Sequence, residues 1–162
     1  MEQHKKIIAT LCYIVDKENV LLVHRNKKDN DTHVGKYNGL GGKSEPGEDP
    51  HACVVREIKE ETGLDISPTY RGNMTFGGFG KNGEDWEVHI FRASTYSGNL
   101  IDCPEGTLEW CGIADFLAGK YPIWESDKLF LDHVFQTQGV FVGQATYERG
   151  TYVNGSVELY KI

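Results

Sequence analysis

Only four cysteines occur in 162 residues, Cys12, Cys53, Cys103 and Cys111, and none forms a C-x-x-C pair. Their scarcity and scatter exclude a disulfide framework and a thiolate zinc site. Hydrophobic residues make up 39% of the chain, enough for one sizeable core and too few for a membrane protein. Bases are also in short supply, with 17 Lys plus Arg against 24 Asp plus Glu and a net charge of −7. That balance excludes a protein that wraps DNA or RNA or clings to anionic lipid. It leaves room for a small anionic substrate, provided a cation stands between the two. No internal repeat or low-complexity stretch is present, so one domain over 1–162 is expected. Lys5 and Lys6 precede the apolar run Ile7 to Val15, but no small-residue cleavage site follows. A polar turn and a second apolar run come next, which reads as two strands. The expected compartment is the cytoplasm, where the triplets beginning at Asn30, Asn73 and Asn154 carry no meaning for glycosylation.

Along the chain, 6–15 and 20–25 read as strands rich in Ile, Val, Leu and Thr. A polar loop over 26–36 leads to Gly39-Leu40-Gly41-Gly42. A helix is predicted from Asp49 to Thr62: Asp49 caps it, Pro50 suits its first position, and Gly63 takes the left-handed conformation past its end. Strands follow over 69–77 and 86–95, the second with large apolar groups in both alternating sets and so covered on both faces. Helices are predicted over 113–118 and 126–136, and strands over 139–147 and 151–160, with Arg149-Gly150 favoured over Asn154-Gly155 as the turn. The class is α+β with a mixed sheet.

The predicted helix carries Glu57, Glu60 and Glu61 at i, i+3 and i+4, three like charges on one face and close to its C-terminus. Repulsion and the macrodipole both make that arrangement costly for the helix. Val54, Val55 and Ile58 run beside these acids as an apolar stripe, so the carboxylates border the core. Glycines bracket the helix and let backbone carbonyls approach the same place. Hard oxygen ligands with room for water suit Mg²⁺, with Mn²⁺ as the alternative.

The spacing G-x5-E-x7-R-E-U-x-E-E-x-G-U, with U aliphatic, is met at Gly42, Glu48, Arg56, Glu57, Ile58, Glu60, Glu61, Gly63 and Leu64. These nine positions resemble the Nudix box, and the wider chain resembles MutT-type 8-oxo-dGTP diphosphatases. The resemblance implies a Nudix fold, an α/β/α sandwich whose box forms a loop–helix–loop against a mixed sheet. It implies metal ligation by Glu60 and Glu61, with the Gly41 carbonyl completing the site. Glu57 becomes a further ligand or the base that orients water. Arg56 and Glu48 become the pair bracing loop against helix. Glu105 resembles the extra acid that relatives place on a later loop, with Asp102 as its rival. The implied reaction is hydrolysis of a nucleoside triphosphate to the monophosphate and pyrophosphate, with Arg25 and Lys43 as phosphate contacts or plain surface charges.

Tyr37-Asn38-Gly39-Leu40-Gly41-Gly42-Lys43 resembles the W-N-G-F-G-G-K segment of oxidised-purine triphosphatases. There Asn38 takes the purine-binding role; otherwise it is a turn residue before glycine. Pro122 to Asp127 resembles the same subfamily's stacking Trp followed by two acids, here Trp124 with Asp127. Ser126 stands where the first acid is expected and Tyr37 where a Trp is. Those departures separate the chain from a strictly 8-oxoguanine-selective pattern. Thr10, Phe79 and Trp86 are further candidates for the pocket wall, although as lone residues each suits the core better. Rival substrates are ADP-ribose, dinucleoside polyphosphates and sugar nucleotides, although Pro68 comes too early for the proline of ADP-ribose-cleaving relatives. A non-catalytic nucleotide-binding module is the other rival. The expected partner is a small nucleotide, with no nucleic-acid polymer and no membrane, and the chain is a monomer or homodimer.

Overall fold

The computed structural model of the chain describes residues 5–31, 33–135 and 138–161. Its larger strands are β1 (Lys6–Asp16), β2 (Asn19–His24), β5 (Thr69–Gly77), β6 (Asp85–Ala93), β8 (Thr107–Gly112), β9 (Val140–Glu148) and β10 (Thr151–Tyr160). Two-residue strands are β3 (Tyr37–Asn38), β4 (Asp65–Ile66) and β7 (Tyr96–Ser97), and the helices are α1 (Pro50–Thr62), α2 (Ile113–Leu117) and α3 (Leu131–Phe135). The main sheet runs β10-β9-β5-β6-β1-β2-β3, with β8 also paired to β2. β1 with β6 and β5 with β9 are parallel, and the remaining pairs are antiparallel. The class is therefore α+β with a mixed sheet.

Strand alternation sorts the core into two layers. Ala9 and Tyr13 of β1, Val20 and Leu22 of β2, and Val88 and Ile90 of β6 face Phe116 of α2 and Leu131 and Val134 of α3. Cys12 and Ile14, Leu21 and Val23, and Phe91 and Ala93 face Val54 and Ile58 of α1. Both faces of β6 are thus covered, and helices lie on both sides of the sheet. α1 starts where Asp49 accepts from the Ala52 N–H at 2.8 Å, a cap worth about 1 kcal/mol. It stops at Gly63, whose φ of 81° admits the left-handed turn and whose N–H bonds the Lys59 carbonyl. Beside β1, the glycine strand, Gly39 to Ser44, is an extended segment joined to β1 by isolated antiparallel bridges at Leu40 and Lys43, with Thr10 N–H donating to Gly42 O at 2.8 Å and Cys12 N–H to Leu40 O at 2.6 Å.

Three local features differ from or refine the sequence reading. The helix expected over 126–136 is broken into a 3₁₀ turn, Glu125–Leu129, and α3; Gln136 lies outside the described residues. Phe130, with φ −120°, interrupts the helical ladder, and the apolar spacing is satisfied equally by the two short pieces. β8 was not foreseen, because half-exposed Trp110 and polar Thr107 and Glu109 obscure its alternation. The β9–β10 turn falls at Arg149-Gly150, both with positive φ, as expected. Among the described residues no helix is long and apolar enough to cross a membrane.

Candidate active site

A cavity of about 470 Å³ opens between the glycine strand, the β1–β6 face and the 3₁₀ turn. One end is acidic. Glu57 and Glu61, one turn apart on α1, both line it, and Glu105 joins them from the loop before β8. Burial, and then the charges of Glu57 and Glu105, push the Glu61 carboxyl up to about 8, partly offset by a hydrogen bond from the Gly41 N–H. The glycines make this approach possible. A β-carbon at Gly41 would collide with the Thr10 carbonyl, and one at Gly42 would stand 2.5 Å from Glu57 Oε2.

Glu60 is not brought to the cavity. Its side chain is 57% exposed and pairs with Arg56 at 3.3 Å. An i+3 residue lies farther around the helix than an i+4 residue, so Glu57 and Glu61 turn inward while Glu60 turns to the rim. Arg56 also forks onto Glu48, at 2.7 Å through Nε and 2.8 Å through Nη2, and reaches the Lys43 carbonyl at 3.2 Å. The Arg56 guanidinium, with the Glu45 N–H, holds the Glu48 carboxyl down at about 2. Glu48 and Arg56 therefore tie the loop to α1 from outside the cavity. Of the two candidate later acids, Glu105 lines the cavity, whereas the Asp102 side chain is 95% exposed and paired with Lys27.

Arg25 lines the cavity but is already engaged, forked onto Asp31 at 2.7 and 3.0 Å and bonded to Glu105 at 3.0 Å. Lys43 stands with Nζ 5.3 Å from the Trp86 ring centroid. Thr10 is buried and its hydroxyl donates to the Gly42 carbonyl at 3.4 Å, which fixes the glycine strand from beneath.

The other end is aromatic. Phe79 packs edge-on against Trp124, Trp86 and Tyr147, so Phe79 and Trp86 belong to the cavity wall. Asn38 and Asp127 face this end. The Asn38 amide nitrogen is buried without a partner, a costly condition that bonding to a ligand or water would relieve. Burial pushes the Asp127 carboxyl up to about 7. Ser126 is buried and shares a 2.6 Å hydrogen bond with the Tyr147 hydroxyl, so the position where the resemblance implies an acid is occupied by an internally satisfied hydroxyl.

Sequence reasoning missed His33. It lines the cavity, and its Nδ1 accepts from the Trp124 indole N–H at 2.7 Å. A single histidine in a polar loop carries no pattern that would mark it.

The chain as a whole has counterparts among known proteins. The NUDIX domain family model matches residues 5–134, and the chain belongs to the Nudix family. An uncharacterized Nudix hydrolase of Bacillus subtilis, YvcI, is 32% identical over 145 residues, covering 86% of this chain and 85% of that protein. The oxidized purine nucleoside triphosphate hydrolase of Danio rerio is 32% identical over 130 residues, covering 80% of each. Among solved structures, the mutator MutT protein from Bacillus halodurans superposes with a TM-score of 0.81 at 27% identity, covering 94% of this chain and 97% of that one. Within the family the chain is a Nudix hydrolase of the MutT type.

Proposed function

We propose that this protein hydrolyses nucleoside triphosphates to the monophosphate and pyrophosphate, with Mg²⁺ as cofactor and oxidised purine nucleotides as its leading substrates. One observation carries the reading: a single cavity joins two inward carboxylates, Glu57 and Glu61, to an aromatic end with the unpartnered Asn38 amide and Asp127. Phosphates suit the first end and a purine the second. The name of the Danio rerio relative supports the same substrate class.

The donor set fits a hard divalent cation. Gly42 leaves room for the Glu57 carboxylate, and Glu61 is a half-buried acid repelled by acidic neighbours. Among the described residues no three His, Cys, Asp or Glu side chains already converge as a cage. Mg²⁺ keeps several waters and commonly takes one or two carboxylates plus substrate phosphates, a number that Glu57 and Glu61 supply. Glu57, Glu61 and the Gly41 carbonyl would hold it, with Glu105 beside them and Glu60 at the rim. When bound, the cation supplies phosphate-charge neutralisation and a more acidic water.

The chain's own residues do the rest. Glu57 accepts a proton from the attacking water or orients it. Arg56 and Glu48 keep the loop carrying Lys43 in register with α1, and Lys43 and Arg25 meet phosphate oxygens. Trp124 and Phe79 exclude water from the base, while the Asn38 amide and Asp127 read its edge through paired donors and acceptors. The deciding experiment is pyrophosphate release from 8-oxo-dGTP, dGTP, dATP, ADP-ribose and diadenosine polyphosphates, with and without Mg²⁺. Mg²⁺-dependent turnover favouring the oxidised triphosphate is expected. Preference for ADP-ribose overturns the substrate assignment, and no turnover of any compound favours a binding module.

A further inference from the structure

The loop between β2 and β3 reaches across the cavity and holds Trp124 at two points. The indole N–H donates to His33 Nδ1 at 2.7 Å, and Lys36 Nζ stands 4.7 Å from the ring centroid. The imidazole meets the indole edge-on, with centroids 5.3 Å apart and planes at 82°. Nδ1 accepts only when the imidazole is neutral and protonated on Nε2. Burial and then the Arg25 charge push His33 down to about 4, which keeps that acceptor in place at neutral pH.

His33 is itself held. Its backbone N–H donates to Asp31 Oδ1 at 3.2 Å. Asp31 is gripped by the Arg25 fork, and Arg25 Nη2 continues to Glu105. Contacts thus run unbroken from the acidic end of the cavity to its aromatic end.

We infer that His33 is a positioning residue that sets the plane of Trp124 for the base, with Asp31 holding His33 in place. The inference rests on the nucleotide reading above. His33 takes up the indole's only polar atom and Lys36 covers one of its faces, so the surface that Trp124 turns to a ligand is apolar ring. Without His33, the indole N–H is left to compete for water or for the base itself, and the ring loses the bond that fixes its orientation.

His33→Phe keeps an aromatic ring and removes the acceptor; His33→Gln restores an acceptor. The first variant is expected to raise KM for the preferred nucleoside triphosphate about tenfold, the worth of one hydrogen bond, with kcat nearly unchanged. The second recovers most of that loss. Inhibition by inorganic tripolyphosphate, which has no base, is expected to be the same in all three proteins. The indole proton of Trp124, read by NMR without substrate, is expected to move upfield in His33→Phe and return in His33→Gln. An indole signal that does not move shows that the bond is absent and overturns the inference. A signal that moves while KM stays constant overturns the positioning role and leaves the nucleotide reading intact. A wild-type enzyme inert towards every nucleoside triphosphate overturns that reading, and the inference with it.

Discussion

Gly42 and Glu57 occupy a space with no room for a third group, since a β-carbon at position 42 would stand 2.5 Å from Glu57 Oε2. The glycine strand and α1 are therefore matched across the acidic end of the cavity. Gly42→Ala is expected to push the Glu57 carboxylate aside and lower kcat about a hundredfold, the usual result of an ångström-scale misplacement. The melting temperature should change little, because a side-chain end gives way and the backbone does not. Steady-state kinetics beside a thermal melt check this; full activity would mean that the position of Glu57 is immaterial.

Glu60 and Glu61 are adjacent in sequence and face different surroundings. Glu61→Gln removes a half-buried cavity carboxylate and is expected to lower kcat/KM at least about a hundredfold. Its fold should be retained, since the amide is nearly isosteric and carries no repelled charge. Glu60→Gln breaks an exposed pair with Arg56, worth about 0–1 kcal/mol, and activity is expected to stay within about tenfold of wild type. Parallel assays at several Mg²⁺ concentrations separate the two. Equal losses in both variants would place Glu60 among the metal-holding groups.

Asp127 ties stability to pH in an identifiable direction. Its pKa in the folded chain is about 7 against an ordinary 3.8, so the folded state binds the extra proton between those values. Its contribution is fully present below about pH 4, is lost as pH rises towards 7, and changes no further above that. Relative to Asp127→Asn, the wild type is expected to lose on the order of a few kcal/mol across that window. Melts of both proteins from pH 4 to 9 give the difference curve. A difference that stays constant with pH would show that Asp127 is charged throughout.

Much of this was legible in the sequence where local chemistry and long-range packing agree. Asp49, Pro50 and Gly63 mark α1 because caps and left-handed turns have strict residue requirements, and the box spacing placed two acids one turn apart. The separation of Glu60 from Glu61 was not legible, since three residues at i, i+3 and i+4 share a face only loosely, and Arg56 pairs with inward Glu57 as well as with outward Glu60. The break at Phe130 and strand β8 depended on tertiary neighbours, and so did the conversion of Phe79 and Trp86 from core candidates to cavity wall. His33 was invisible for the same reason: its importance lies in Trp124, which is remote in sequence and adjacent only after folding.

The parallel ladder of β1 with β6 sets Lys6 opposite Asp85 and Ile14 opposite Ala93, and Ala9 with Val88 from these two strands lies in the cavity's lining. Parallel partners cannot be joined by a tight hairpin, and contacts between distant segments form slowly because loop closure comes before their reward. During synthesis, the glycine strand and α1 leave the ribosome well before their opposite wall exists. The acidic helix has no cavity to border until β6 and, later still, the 3₁₀ turn with Ser126 and Asp127 have been added, so the cavity closes only once most of the chain has been made.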